Sequence, residues 1–91
     1  MKVTVHLLAQ LRKAAGTERM EIEMSADTTL AELLVELCRI TPALRPFLLD
    51  AGDRPPPSIL VFLGEEQVRR LEVQKLREGD VVTLLTPMAG G

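Results

Sequence analysis

The chain has 91 residues, enough for one domain with a modest core, and 46% of them are hydrophobic. With two Phe, no Trp or Tyr, and a net charge of −2 spread along the chain, it offers neither aromatic platforms nor a basic stripe, so nucleic-acid binding is excluded. A single cysteine, Cys38, excludes an internal disulfide and fits a reducing compartment. No apolar run reaches the ~18 residues of a membrane span, and MKVTVHLL is too short and too early charged for a signal peptide. The expected location is the cytoplasm.

Residues 2–8, KVTVHLL, alternate with Val3, Val5 and Leu7 on one side, which predicts a half-buried strand. Ala9 to Thr17 can form a single helical turn that reverses at Gly16. ERMEIEM, 18–24, alternates again with Met20, Ile22 and Met24 on one face, giving an opening hairpin with a long loop and an unspecified register. From Leu30 the period changes to that of an amphipathic helix, with Leu30, Leu33, Leu34, Leu37 and Cys38 in one stripe. Thr29 and Glu32 read as a capping box, and Pro42 stops the helix near Thr41. A further turn is expected in ALRPFLLD, interrupted at Pro46. The loop AGDRPPPS cannot be a central strand, because its prolines cannot donate to a ladder. ILVFLG has strand length, GEE turns, and QVRRLEV is expected to return as a short edge strand blunted by Arg69 and Arg70. REGD is a turn and VVTLLT, 81–86, the last strand.

Strands and one long helix segregate in this order, which predicts an α+β fold with the helix across one face of a mixed sheet. The first and last strands are the most apolar and are expected to be parallel central neighbours. That is a β-grasp, ubiquitin-like arrangement over residues 1–87, followed by a flexible Gly-Gly tail, 88–91.

Conventional sites do not assemble. His6 has the polar parity of its strand and reads as a surface side chain; Cys38 lies on the apolar helical stripe, where a thiol behaves as a small inert hydrophobe. No phosphate loop and no Cys/His cluster with metal spacing is present, so no metal is expected. Glu65-Glu66 and Glu21/Glu23 read as solvated acids. The chain is therefore expected to be no enzyme and to bind no cofactor itself.

The tail is different. Pro87 fixes φ and directs the chain off the last strand, and Ala89-Gly90-Gly91 carries no side chain beyond a methyl. Such a segment can thread a narrow channel, and its functional group is the α-carboxylate of Gly91. A carboxylate resists nucleophiles at neutral pH; adenylation would activate it, in a water-poor enzyme site using ATP and Mg²⁺. A bulky residue at 90 or 91 would block entry.

LREGDVVTLLTPMAGG resembles the C-terminal signature of the MoaD/ThiS sulfur carriers, with its "GD-x-V" turn, Pro-containing exit and Gly-Gly. HLLAQLRKAAGTERMEIEM and DTTLAELLVEL resemble the opening strand with its "AQ-x-R-x-x-x-G" stretch and the helix entry of the molybdopterin synthase branch. The resemblance implies that a ubiquitin-activating-type enzyme adenylates Gly91 and that persulfide sulfur replaces AMP to give a thiocarboxylate. A sulfur acceptor such as molybdopterin synthase large subunit would then take the sulfur. Gly90, Gly91, Pro87 and the small Ala89 match the motif; Thr86 stands where a second Pro is common, and Met88 replaces a branched aliphatic. GEEQVRRLEVQKL is similar to longer carriers that serve cysteine synthesis. The favoured role is the molybdopterin synthase small subunit, with cysteine synthesis, tRNA thiolation or protein conjugation as alternatives. An alternative of another class is a β-grasp interaction module with an incidental tail.

A partner surface follows from parity. Val61 and Leu63 share one face and Leu60 and Phe62 the other, while Val82 and Leu84 alternate against Val81 and Leu85. Only one face can meet the helix, and an apolar second face marks a docking site. Phe62 and Leu85 are expected on the partner side near the tail, with Pro87, Met88, Ala89 and Gly90 entering the partner. The competing expectation is that segment 42–58 covers the second face.

Overall fold

The computed structural model describes residues 1–86. Five strands form one mixed sheet in the order β2-β1-β5-β3-β4. The strands are β1 (Lys2–Leu7), β2 (Arg19–Glu23), β3 (Leu60–Leu63), β4 (Glu66–Val68) and β5 (Val81–Leu85). β1 and β5 pair in parallel at the centre, as their apolar runs require, and β2 pairs with β1 antiparallel in the register Val3↔Ile22 and Val5↔Met20. This is the β-grasp arrangement.

The inner face of the sheet presents Val3, Val5, Leu7, Val61, Val82 and Leu84 to α2 (Leu30–Ile40). That helix returns its apolar stripe, Leu30 to Cys38, and all five stripe residues are buried. Its start is fixed by the expected capping box: Glu32 N donates to Thr29 Oγ1 at 3.2 Å and Thr29 N to Glu32 Oε1 at 2.9 Å. α1 (Gln10–Ala15) closes one end of the core with Leu11 and terminates at Gly16, whose φ of 76° suits glycine.

Two expectations are corrected. Pro46 does not interrupt the turn after α2; a 3₁₀ turn at Pro42–Leu44 runs straight into α3 (Arg45–Leu48), and Pro46 sits in its first turn. The missing amide there has no intrahelical acceptor to lose, so proline helps the start. The edge strand does not run through QVRRLEV. It covers only Glu66–Val68, one residue earlier and much shorter, and Arg69 and Arg70 lie beyond it. The chain leaves the edge because Leu71 and Leu76 are needed in the core, where both are buried. On that path it also answers orphan amides at the start of α2: Leu30 N donates to the Gln74 carbonyl at 2.9 Å and Ala31 N to that of Leu71 at 3.2 Å. The strands otherwise end within one residue of their expected bounds, β5 at Leu85 instead of Thr86.

Candidate functional site: the root of the C-terminal segment

β5 begins from a turn that its sequence dictates. Gly79 takes a φ of 83°, in the left-handed region where a Cβ is strained. Asp80 closes the turn on itself: its carboxylate accepts from Arg77 N at 2.7 Å and its own amide donates to the Arg77 carbonyl at 3.1 Å. From there β5 runs between β1 and β3, hydrogen-bonded on both sides, with Leu7↔Leu84 on one edge and Leu60↔Leu85 on the other. Leu8 N extends the parallel ladder by donating to the Leu84 carbonyl at 3.2 Å. The last described residue, Thr86, is 8% exposed, and its hydroxyl has no hydrogen-bond partner among the described residues.

Pro87, Met88, Ala89, Gly90 and Gly91, the expected tail residues, lie outside the described residues. Phe62 and Leu85 fall on the outer face of the sheet. Both are half-buried, and neither belongs to the core that β3 and β5 supply through Val61, Val82 and Leu84. Leu85 stands directly opposite Leu60, and Phe62 opposite Thr83. Leu8, 42% exposed, follows β1 at the same end of the sheet, so Leu8, Leu85, Leu60 and Phe62 make an apolar strip beside the end of β5. Segment 42–49 packs on the helix side through Leu44, Leu48 and Leu49. Pro55, Pro56 and Pro57 line a hollow with Leu60 and Gln67 at the β4 side of the sheet. Leu8 is exposed, while Leu60, Phe62 and Leu85 are partly covered.

The remaining candidates fall where their parity puts them. His6 is exposed on the outer face, opposite Arg19 on β2 and Thr83 on β5. Cys38 is buried in the core, and burial pushes its thiol pKa up, away from a nucleophilic thiolate. No three His, Cys, Asp or Glu side chains converge on a metal-sized site among the described residues.

The family model for the ThiS family matches residues 5–91, nearly the entire chain. The chain belongs to the ThiS family. A molybdopterin synthase sulfur carrier subunit of Chlamydomonas reinhardtii is 26% identical over 91 residues, 100% of each chain. Small archaeal modifier protein 1 of Haloferax volcanii shares the fold with a TM-score of 0.91 at 24% identity, covering 100% of both chains. A chain of the BexX/CysO complex of Amycolatopsis orientalis aligns with a TM-score of 0.72 at 27% identity, over 98% of this chain and 99% of that one. This ThiS-family chain is thus a ubiquitin-like sulfur carrier, of a kind that acts with partner enzymes. Within the described residues its family signature falls on the turn that launches β5 and on the strand itself. The sequence pattern missed the buried hydroxyl of Thr86, because burial at a strand end depends on what packs over it.

Proposed function

We propose that this chain carries sulfur as a thiocarboxylate on Gly91 and serves as the small subunit of a molybdopterin synthase. The full-length match to a molybdopterin synthase sulfur carrier subunit is the observation that favours this branch. The chemistry follows from the tail. The Gly91 carboxylate attacks the α-phosphorus of ATP, with Mg²⁺ held by a ubiquitin-activating-type enzyme, and pyrophosphate leaves. The terminal sulfur of a persulfide then attacks the acyl carbon and expels AMP, and a thiol cleaves the resulting S–S bond to leave the thiocarboxylate. A sulfur acceptor, the large subunit of molybdopterin synthase, takes the sulfur from it. The carrier contributes no acid, base or metal to these steps. It contributes a side-chain-free acyl group mounted on a central strand, and the outer strip of Leu85, Phe62, Leu60 and Leu8 against which partners seat.

The test is intact-mass measurement after incubation with the adenylating enzyme, ATP and a persulfide source. Oxygen-to-sulfur exchange confined to the C-terminal peptide is expected, and the same spectrum reports whether the native chain ends at Gly91. Persistence of the plain carboxylate under conditions in which the enzyme is active overturns the proposal. A carrier for cysteine synthesis is the second reading, favoured by the likeness to a chain of the BexX/CysO complex and by the stretch from Gly64 to Leu76. Sulfur delivered from the loaded chain to molybdopterin synthase large subunit separates the two. A plain interaction module would keep its function after removal of Gly90 and Gly91; a carrier loses it.

A further inference from the structure

Of the 11 Lys and Arg residues in the chain, only Lys2, Lys13 and Lys75 are lysines. The distinction matters where a C-terminal acyl group is activated. A lysine amine is a nucleophile towards it, whereas a guanidinium stays protonated and is not. The fold separates the primary amines. Lys2 stands at the end of the sheet where β5 begins: its carbonyl accepts from Gly79 N at 2.8 Å, and its Nζ lies 3.9 Å from Glu21. Lys75 comes just ahead of the turn that launches β5 and lies 3.5 Å from Asp27. The terminal amine donates to the Met24 carbonyl at 2.6 Å and lies 3.3 Å from Glu23, also on the Lys2 side. Lys13 is different. It sits on α1, which follows β1 at the end where β5 finishes. There Leu8 N donates to the Leu84 carbonyl and Lys13 N to the Ala9 carbonyl, each at 3.2 Å. Lys13 is exposed and has no ion-pair partner among the described residues, while its neighbour Arg12 lies 3.4 Å from Glu18. Reach separates the amines further. The pairing Leu7↔Leu84 puts Thr86 two rows beyond Leu7, so Lys2 lies about 23 Å back along the sheet at ~3.3 Å per residue. Residues 87–91 span at most about 17 Å, at ~3.3–3.6 Å each. Lys13 lies only about 6 Å along α1 from Ala9, at ~1.5 Å per residue.

We propose that Lys13 is a modification site: when sulfur is lacking, its Nζ captures the activated Gly91 of the same chain and closes a side-chain-to-tail ring. The inference rests on the carrier reading. The step begins once the adenylate leaves the activating enzyme before persulfide sulfur reaches it. The unprotonated Lys13 amine attacks the Gly91 acyl carbon. A C–N bond forms, the C–O bond to AMP breaks, AMP leaves with the electron pair, and the amine gives up one proton to solvent. Nothing is oxidised or reduced, and the chain ends one water lighter than the free acid. A nucleophile tethered this closely acts at an effective concentration on the order of millimolar. The other two lysines lie at the far end beside carboxylates, and Arg12 and Arg19 at the near end cannot be acylated. Ring closure removes the terminal carboxylate, so it withdraws the carrier from further loading.

The experiment incubates the full chain with the purified adenylating enzyme encoded in the same genome, ATP and Mg²⁺, without a sulfur source. Pyrophosphate release reports adenylation, intact mass reports the loss of one water, and a tryptic digest locates the new bond. A branched peptide joining Lys13 to the C-terminal segment from Glu78 to Gly91 is expected. Its yield should rise with pH, because only the unprotonated amine attacks, and should not depend on chain concentration. Lys13→Arg keeps the charge and is expected to abolish the ring while leaving pyrophosphate release, and thiocarboxylate formation once persulfide is supplied, at the wild-type level. Lys75→Arg is expected to cyclise like the wild type. Pyrophosphate release with only linear chains overturns the proposal, as does a branch at Lys2, Lys75 or the terminal amine, or a product that joins two chains. Absence of pyrophosphate release overturns the carrier reading, and the ring closure with it.

Discussion

Adjacent leucines on β5 test which face is which. Leu84 is 0% exposed and packs in the core, while Leu85, one peptide further, is half-buried on the outer face. Truncating a fully buried leucine costs about 2–5 kcal/mol through lost transfer energy and the cavity left behind. Aspartate at that position adds several kcal/mol more, because its carboxylate must be desolvated or kept protonated. A domain of 91 residues has about 5–14 kcal/mol of stability in total, at ~0.05–0.15 kcal/mol per residue. Leu84→Asp is therefore expected to lack a cooperative fold at 25 °C. Leu85→Asp gives up roughly half of the ~2 kcal/mol that burying a leucine is worth, about 1 kcal/mol, since its carboxylate can reach water. That corresponds to a drop in Tm of about 4–8 °C. Thermal unfolding by circular dichroism, with an amide spectrum of each variant, reads both outcomes, and association with the adenylating enzyme reads the third. Leu85→Asp is expected to fold and bind weakly. A cooperatively folded Leu84→Asp with wild-type Tm would refute the assignment of the inner face. An unfolded Leu85→Asp would show the outer face to be part of the core.

Two further predictions concern buried polar atoms. Thr86→Val keeps the side-chain shape and removes a hydroxyl that is buried without a partner among the described residues; it is expected to raise stability by about 1 kcal/mol, seen as a higher Tm, while an equal loss would mean that the hydroxyl is bonded. Burial raises the Cys38 thiol pKa in the folded chain, so its contribution to stability is fully present below the unfolded thiol's value of about 8.5 and is lost as pH rises through the higher folded value. Native protein is expected to resist iodoacetamide at pH 8 and to react on unfolding, and Cys38→Ala is expected to flatten the alkaline side of the stability profile; rapid alkylation of the native chain would contradict both.

What the sequence made legible was whatever depends on local period and local chemistry. The 3.6-residue stripe from Leu30 to Cys38, the capping box of Thr29 and Glu32, the turn at residues 77–80 before β5 and the parallel pairing of β1 with β5 all lie where alternation and turn residues put them. The path from Arg69 to Leu76 was not legible. QVRRLEV has strand-like residues, yet the core needed Leu71 and Leu76, and the amides opening α2 needed carbonyl partners; both demands come from residues about 40 positions away. Pro46 misled for the opposite reason: proline breaks a helix interior but suits a first turn, and only the position of the helix start decides between them. Charge was the least legible property. Signs that mix along the chain separate in space because antiparallel strands bring Glu21 and Glu23 beside Lys2 and leave Arg19 at the other end.

The placement of the tail on β5 has a mechanical consequence that can be measured. A strand at a sheet edge opens by local fluctuation at small cost, whereas one paired on both sides opens only with most of the molecule. β4 has three residues and one neighbour; β5 has β1 and β3. An acyl group launched from β4 would inherit the motion of its mount, and the enzyme would have to spend binding energy to fix both. Launched from β5, it starts from a root whose position is tied to the core through Val82 and Leu84. Native-state hydrogen exchange is expected to show amides of β5 exchanging only through global unfolding, with a denaturant slope equal to the equilibrium m-value. Amides of β4 should exchange by local opening with a slope near zero. Matching slopes in the two strands would mean that the edge is as firmly held as the centre, and the central position of β5 would then confer no advantage on the group it carries.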